Sequence, residues 1–309
     1  MRSSGTLMCI ASAACFGAMA IFGKLAYDEG ATVGTLLAVR FALAAAVFWA
    51  FVAATGALHE VRGLGRGDLL LGIGLGAFGY AAQAGFFFSA LKRIDASLLS
   101  LVLYTFPAIV AAAAVVLGRE RMTGRRLLAL CLSLGGLALV VGGAGAGTLD
   151  ALGVALGLCA ALVYSTYILT SQGISGRLRP SVLSALVCSG AAVSLTLGSA
   201  LLGELRLGEL TAPGWGWLAS IAVVSTVGAV GLFFAGLPRV GPTAASILST
   251  VEPLVTVILA FLVFGETLGV VQIAGGALVL AAVLVLNSGR ARPAPVAPVE
   301  HAAAARATA

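Results

Sequence analysis

The sequence predicts an all-α integral membrane protein, with ten transmembrane helices arranged as two inverted five-helix repeats. Three observations carry that reading. The chain is 60% hydrophobic and 10% charged, with a mean hydropathy of +1.10, whereas a soluble domain is about a quarter charged. Its second half matches its first at a spacing of 146, the separation of Pro107 and Pro253. Its arginines gather on one side of the expected membrane.

The elements follow from the charges. Runs 3–23, 69–91, 96–118, 127–149, 151–176, 180–203, 210–238 and 267–289 contain no Asp, Glu, Lys or Arg. Two further runs hold one charge each: 30–54 with Arg40, and 240–265 with Glu252. About 20 apolar residues cross a bilayer as a helix. Closed strands, the other spanning solution, alternate apolar and polar residues, and these runs do not. Helices are therefore expected at 4–26, 32–54, 69–91, 96–117, 125–146, 151–172, 181–203, 214–236, 242–264 and 267–287. The first run, preceded by Arg2, is longer than a secretory signal core and is followed by nine more spans, so it reads as an uncleaved first helix. Cys9, Cys15, Cys131, Cys159 and Cys188 all fall inside spans without a CxxC pair, as expected of buried small apolar residues.

The internal match pairs Phe87, Phe88, Leu91 and Arg93 with Phe233, Phe234, Leu237 and Arg239. It also pairs Ser100 with Ser246, Pro107 with Pro253 and Glu120 with Glu266. Five helices per repeat is an odd number, so the second repeat enters the membrane from the opposite side. This is the inverted topology that lets two mirrored packings open a central site to either face. The expected divisions are 4–146 and 151–287 for the repeats, with a disordered cytoplasmic tail at 288–309, rich in Ala, Pro and Arg.

Orientation comes from the arginines. With a cytoplasmic N-terminus, the inner side holds Arg2, Arg62, Arg66, Arg119, Arg121, Arg125, Arg126, Arg177, Arg179, Arg239, Arg290, Arg292 and Arg306. The outer loops hold Lys92, Arg93 and Arg206, and Lys24 is expected to snorkel outward. This bias places both termini in the cytoplasm of a protein of the plasma (inner) membrane.

Several residues suit transport chemistry. Glu252 is the only acid inside a span, roughly 15 Å from each surface at 1.5 Å per residue. It reads either as a contact for a substrate ammonium or coupling proton, or as a structural acid beside the Pro253 kink. Arg40 is the only base deep in a span; it needs a partner, and a structural role is expected, with Glu252, backbone carbonyls or a substrate carboxylate as candidates. Tyr80, Gln83 and Phe87 share one helical face. Tyr104, Tyr164 and Tyr167 add aromatic hydroxyls. Ser165, Thr166, Thr170 and Ser171 in helix 6, and Ser246, Ser249 and Thr250 in helix 9, either line a cavity or bond their own backbone. Pro107 and Pro253 break intrahelical hydrogen bonds at equivalent positions and serve as hinges or as fixed bends. The pairs Gly72/Gly76, Gly143/Gly147 and Gly153/Gly157 have the spacing of close helix contacts.

These features resemble the EamA-type drug/metabolite transporters. The resemblance rests on Phe16-Gly17, Arg40, Pro107 followed by Gly118-Arg119-Glu120, and Glu252-Pro253 followed by Phe264-Gly265-Glu266, and it covers about 4–287. It implies a central cavity lined mainly by helices 1, 3, 4, 6, 8 and 9, with helix 2 at the periphery. It also implies export of amino acids, related metabolites or other small amphiphiles.

Other chemistries find little support. Gly74-x-Gly76-x-x-Gly79 matches a dinucleotide fingerprint but lies inside an apolar span with no strand before it. His59 and His301, the only histidines, sit in a loop and the tail, so no zinc or haem ligand set forms. The reading is a secondary transporter with no cofactor and no nucleic-acid partner, acting on small metabolites, in contact with lipid and coupled to protons or uncoupled. The alternative is a non-transporting membrane protein, either an enzyme on a lipid-linked substrate or an assembly scaffold.

Overall fold

The computed structural model describes residues 2–118, 121–143, 150–175 and 177–287. Among these, ten helices are long and apolar enough to span a bilayer. They are α1 (Ser3–Asp28), α2 (Val33–Ala54), α3 (Arg66–Leu91), α4 (Ala96–Val116), α5 (Gly124–Gly142), α6 (Ala151–Ser171), α7 (Pro180–Leu201), α8 (Ala212–Val240), α9 (Ala244–Phe264) and α10 (Val270–Asn287). Each coincides with one expected span to within a few residues, because charges end helices where the chain meets water. Glu120, Gly147 and the tail 288–309 lie outside the described residues.

The surface is that of a protein in lipid. Large apolar side chains such as Phe78 and Val270 are exposed, whereas Arg40, Gln83 and Thr226 are buried. That inverts the distribution of a soluble domain. Cysteine follows the same rule: Cys9 and Cys188 are buried, but Cys131 lies exposed on α5, a departure from the buried role expected for all five.

Packing shows the inverted repeat. α1 packs against α8 and α9, and α6 packs against α3 and α4. Exchanging the repeats converts one set of contacts into the other. The pairs α2–α7, α4–α9 and α5–α10 map onto themselves, as a twofold axis requires. Glycine brings these helices close. A Cβ on Gly76 would stand 1.9 Å from the Val187 carbonyl oxygen, and one on Gly190 would stand 2.1 Å from that of Ile73, so α3 and α7 touch backbone to backbone. Gly72 also faces α7, Gly153 and Gly157 face the α3–α4 corner, and Gly143 packs on Gln272 of α10, so every described member of the three expected glycine pairs lies at a contact.

Five helices are irregular among the described residues, four of them in matched pairs. α3 and α8 widen into π-helix at Leu75–Tyr80 and Val223–Gly228. α4 breaks at Tyr104–Thr105 and α9 at Thr250, each just before the matched proline. Proline has no N–H to give to the carbonyl four residues earlier, so Pro253 leaves the Ser249 carbonyl free at the break. α1 interrupts at Ala18, beside Gly17. A Cβ on Gly17 would lie 2.7 Å from the Glu252 carbonyl oxygen, and Thr256 Oγ1 donates to the Gly17 carbonyl at 2.9 Å. The Phe16-Gly17 pair therefore marks where α1 seats against the broken turn of α9.

Candidate functional site

The irregular segments surround a cavity of about 1260 Å³. It opens toward the face that carries Ser3 and Asn287, where Thr123, Arg125, Arg126, Pro180 and Asn287 form its mouth. Toward the opposite face it narrows to Met19, Ala20, Phe88 and Ser100, and no residue of the loops on that face lines it.

All six residues expected at the substrate site line this cavity: Tyr80, Gln83, Tyr104, Tyr164, Tyr167 and Glu252. Four of the five tyrosines in the chain are among them. The rings form a continuous arc. Tyr80 stacks on Tyr167 with centroids 5.6 Å apart, and Tyr167 stacks on Tyr164 at 6.3 Å. Tyr164 meets Phe106 edge-on at 4.7 Å, and Phe106 meets Tyr104 at 5.8 Å. Stacked and edge-on pairs at these spacings are favourable geometries, worth about 0.5–1.5 kcal/mol each. One end of the arc reaches Arg40 Nη2, 3.4 Å from Tyr80 Oη; the other reaches Glu252 Oε2, 3.1 Å from Tyr104 Oη. Gln83, buried on the cavity wall, has no hydrogen-bond partner among the described residues, so its amide is presented to whatever enters.

Arg40 departs most from expectation. α2 was expected at the periphery, yet Arg40 and Phe48 line the cavity, and so do Leu183, Val187 and Cys188 of α7. Arg40 is 2% exposed, and among the described residues no carboxylate lies within ion-pair distance of it. Its Nε donates to Thr226 Oγ1 at 3.0 Å. The Thr226 hydroxyl spends its own proton on the Ile221 carbonyl at 2.9 Å, across the π segment of α8, so its lone pair faces the guanidinium. Three aromatic faces surround the cation: Phe41 at 4.8 Å, Phe88 at 5.5 Å and Tyr80 at 5.9 Å. An Arg at a helix centre costs about 2.5–3.5 kcal/mol on insertion scales, and cation–π contacts offset part of that. The sequence hid this arrangement because the partner hydroxyl is 186 residues away. The only local signal was Ser225-Thr226, a hydroxyl pair in mid-helix.

The two alternatives for the hydroxyls of α6 and α9 overlap. Ser165, Thr166 and Thr170 donate to carbonyls three or four residues earlier, and Ser165 also lies 3.2 Å from the Phe106 carbonyl of α4. Ser171, Ser246 and Ser249 line the cavity, although Ser171 and Ser249 also donate to the Ile168 and Ala245 carbonyls, and half-buried Thr250 bonds the Ile247 carbonyl. Pro107 lines the cavity; Pro253 is buried behind it.

The closed face is tied by contacts between the two repeats. Glu266, in the loop after α9, accepts from Lys24 Nζ at 2.6 Å, from Ser97 Oγ at 2.9 Å and from the amides of Ser97 and Ala96 at 3.0 and 3.1 Å. Burial alone pushes the Glu266 carboxyl up, but these hydrogen bonds and the Lys24 charge outweigh it and hold the carboxyl below the usual carboxylate value. Lys24, expected to snorkel outward, is instead drawn onto this acid. Phe22 stacks on Trp217 at 5.9 Å, Thr35 Oγ1 donates to the Glu204 carbonyl at 3.0 Å, and Arg93 pairs with Asp150 at 2.9 Å.

The same duplication is visible in family comparison: the model described as the EamA-like transporter family matches residues 3–142 and again 151–288. The chain belongs to this family. It is a multi-pass membrane transporter of the EamA type, a class that handles small molecules and is generally not enzymatic. A Bacillus subtilis protein described as the uncharacterized transporter YcbK is 28% identical over 280 residues, covering 88% of this chain and 89% of its own. An uncharacterized transporter of Archaeoglobus fulgidus is 31% identical over 225 residues, covering 73% and 78%. A solved crystal structure superposes with a TM-score of 0.64 at 21% identity, over 93% of this chain and 97% of that one, so the two share a fold over nearly their whole length.

Proposed function

We propose that this transporter exports amino acids or related small metabolites across the plasma (inner) membrane by alternating access, with both termini cytoplasmic. The observation that carries the proposal is the cavity. It is large enough for a metabolite, walled by aromatic rings, open to one face and shut at the other by contacts between the repeats. On the positive-inside orientation the open face is cytoplasmic, which supports reading the open cavity as the inward-facing, loading state.

In this reading Tyr80, Gln83, Tyr104, Tyr164 and Tyr167 hold the solute. Glu252 takes a substrate ammonium or a coupling proton. Pro107 and Pro253 act as matched hinges, because the helix breaks beside them leave the two halves of α4 and of α9 without a continuous hydrogen-bond ladder. Opening the closed face requires Glu266 to release Lys24 and Ser97.

Uptake of radiolabelled amino acids into proteoliposomes, with and without an imposed pH gradient, tests the proposal. Solute accumulation above protein-free vesicles is expected. Absence of flux for every metabolite in a broad panel, together with turnover of a lipid-linked substrate, would overturn it.

A further inference from the structure

We infer that Arg40 is the receptor for a carboxylate on the transported solute. This rests on the transport reading above and goes further by fixing one required group on the substrate and the residue that selects it.

The geometry carries the inference. A guanidinium has five N–H donors arranged to meet an anion side-on. In this chain Nε is committed to Thr226 Oγ1, and Nη2 has only the Tyr80 hydroxyl at 3.4 Å, the outer edge of a hydrogen bond. Nη1 has no acceptor among the described residues. A buried cation that serves only to tie helices together is expected to have its donors filled and an anion beside it. Arg40 has neither, although the cavity it lines contains a carboxylate, Glu252, at the far end of the aromatic arc. Thr226 and the flanking faces of Phe41 and Phe88 fix the plane of the guanidinium and leave its terminal nitrogens for a ligand. A carboxylate oxygen pair matches those two nitrogens in the bidentate geometry that arginine favours.

The charge inventory of the cavity agrees. Its lining contains Arg40, Arg125 and Arg126 against the single acid Glu252. Arg125 stands at the mouth, where positive potential raises the local concentration of an anionic group. The rings between Arg40 and Glu252 offer an apolar wall to the remainder of the solute. The substrate class is therefore a small carboxylate with an apolar body, and a zwitterionic one satisfies both ends.

The test uses the purified full-length protein in detergent and matched ligands: L-leucine and L-phenylalanine, their carboxamides, and the deaminated acids 4-methylpentanoate and 3-phenylpropanoate. Thermal stabilisation should come from at least one carboxylate and not from the matching amide. Arg40→Gln should weaken that carboxylate by about thirtyfold or more, as for loss of one partner of a buried charged pair, and Arg40→Lys should restore part of the affinity. Amides that stabilise as well as acids, acids that bind Arg40→Gln undiminished, or no stabilisation by any carboxylate would each overturn the inference. The wild-type comparison of acid with amide decides the matter even if Arg40→Gln does not fold. Flux in proteoliposomes separates the two levels: acids carried equally by wild type and Arg40→Gln remove the carboxylate receptor and leave the transporter standing, whereas no flux of any solute removes the transporter reading itself.

Discussion

Tyr104 Oη lies 3.1 Å from Glu252 Oε2 and in closer contact with the Ser249 carbonyl oxygen, the one left without an intrahelical donor by Pro253. A tyrosine hydroxyl has one proton to give. When Glu252 is protonated, its O–H donates to Tyr104 and Tyr104 donates to Ser249, so every group is satisfied. When Glu252 is ionised, two acceptors compete for the Tyr104 proton. The protonation state of Glu252 is thereby read at the breaks in both α4 and α9.

Removing the Tyr104 hydroxyl tests this coupling. Tyr104→Phe leaves the Ser249 carbonyl unpaired, and a buried orphan of this kind costs about 1–3 kcal/mol. A lower melting temperature is expected, together with a weaker response of flux to an imposed pH gradient. A pH response equal to that of wild type would detach the hydroxyl from coupling.

Neutralising the acid should separate transport from folding. Glu252→Gln keeps the shape of the side chain and can still meet Tyr104. Gradient-driven flux should fall by an order of magnitude or more, while the melting temperature changes little, because the substitution relieves a buried charge. Flux across a pH gradient that matches wild type would rule out proton carriage by Glu252.

Gln83 presents an amide to the cavity with no hydrogen-bond partner among the described residues. Gln83→Ala should therefore cost little stability and should change the order of preference among substrates. Competition assays with a panel of polar and apolar amino acids would show it. An unchanged order would remove Gln83 from the substrate contacts.

The closed face depends on an ionised Glu266. Its carboxyl is held below its unfolded value by Lys24, Ser97 and Ala96. The stabilisation is therefore present above the ordinary carboxylate value, about 4.3, and is lost as pH falls through the lower folded value. Glu266→Gln should weaken the closure by about 1.5–3 kcal/mol, the worth of charged hydrogen bonds. Spin-label distances across the Lys24–Glu266 face should then lengthen at neutral pH, as they should in wild type under acid. Unaltered distances in the variant would show that the other contacts suffice.

Gly76 and Gly190 set the contact between α3 and α7. Gly76→Ala places a methyl group against the Val187 backbone and should destabilise the protein by at least about 1–3 kcal/mol, the cost of overpacking. Gly85→Ala, in the same helix but with open space around the position, serves as the control and should be neutral.

The spans were legible because the bilayer imposes a length on every apolar run, and each run ends at a charge. The cavity wall was legible where polar groups repeat at helical spacing, as in Tyr80, Gln83 and Phe87. Arg40 was legible as an anomaly but not as a cavity residue, because α2 is apolar on all sides and gives no face to read. Its partner Thr226 and the Lys24–Glu266 tie join residues 186 and 242 positions apart, which no local pattern links. The π segments carry no residue signature, so only the backbone reveals them.

The exchange of partners, α1 on α8 and α6 on α3, bears on how the molecule is born. The buried face of the first half of α1, including Ser12, whose hydroxyl donates to the Ala229 carbonyl at 2.7 Å, finds its mates in α8 and α9 of the other repeat. During synthesis α1 must wait in lipid until seven more helices have been threaded. The first repeat is thus an incomplete object alone, an interlocking half whose assembly depends on a later sibling inserted the other way up. A chain truncated after α5 should be recognised by quality-control proteases as an orphan, and co-expression of the second half as a separate polypeptide should rescue it.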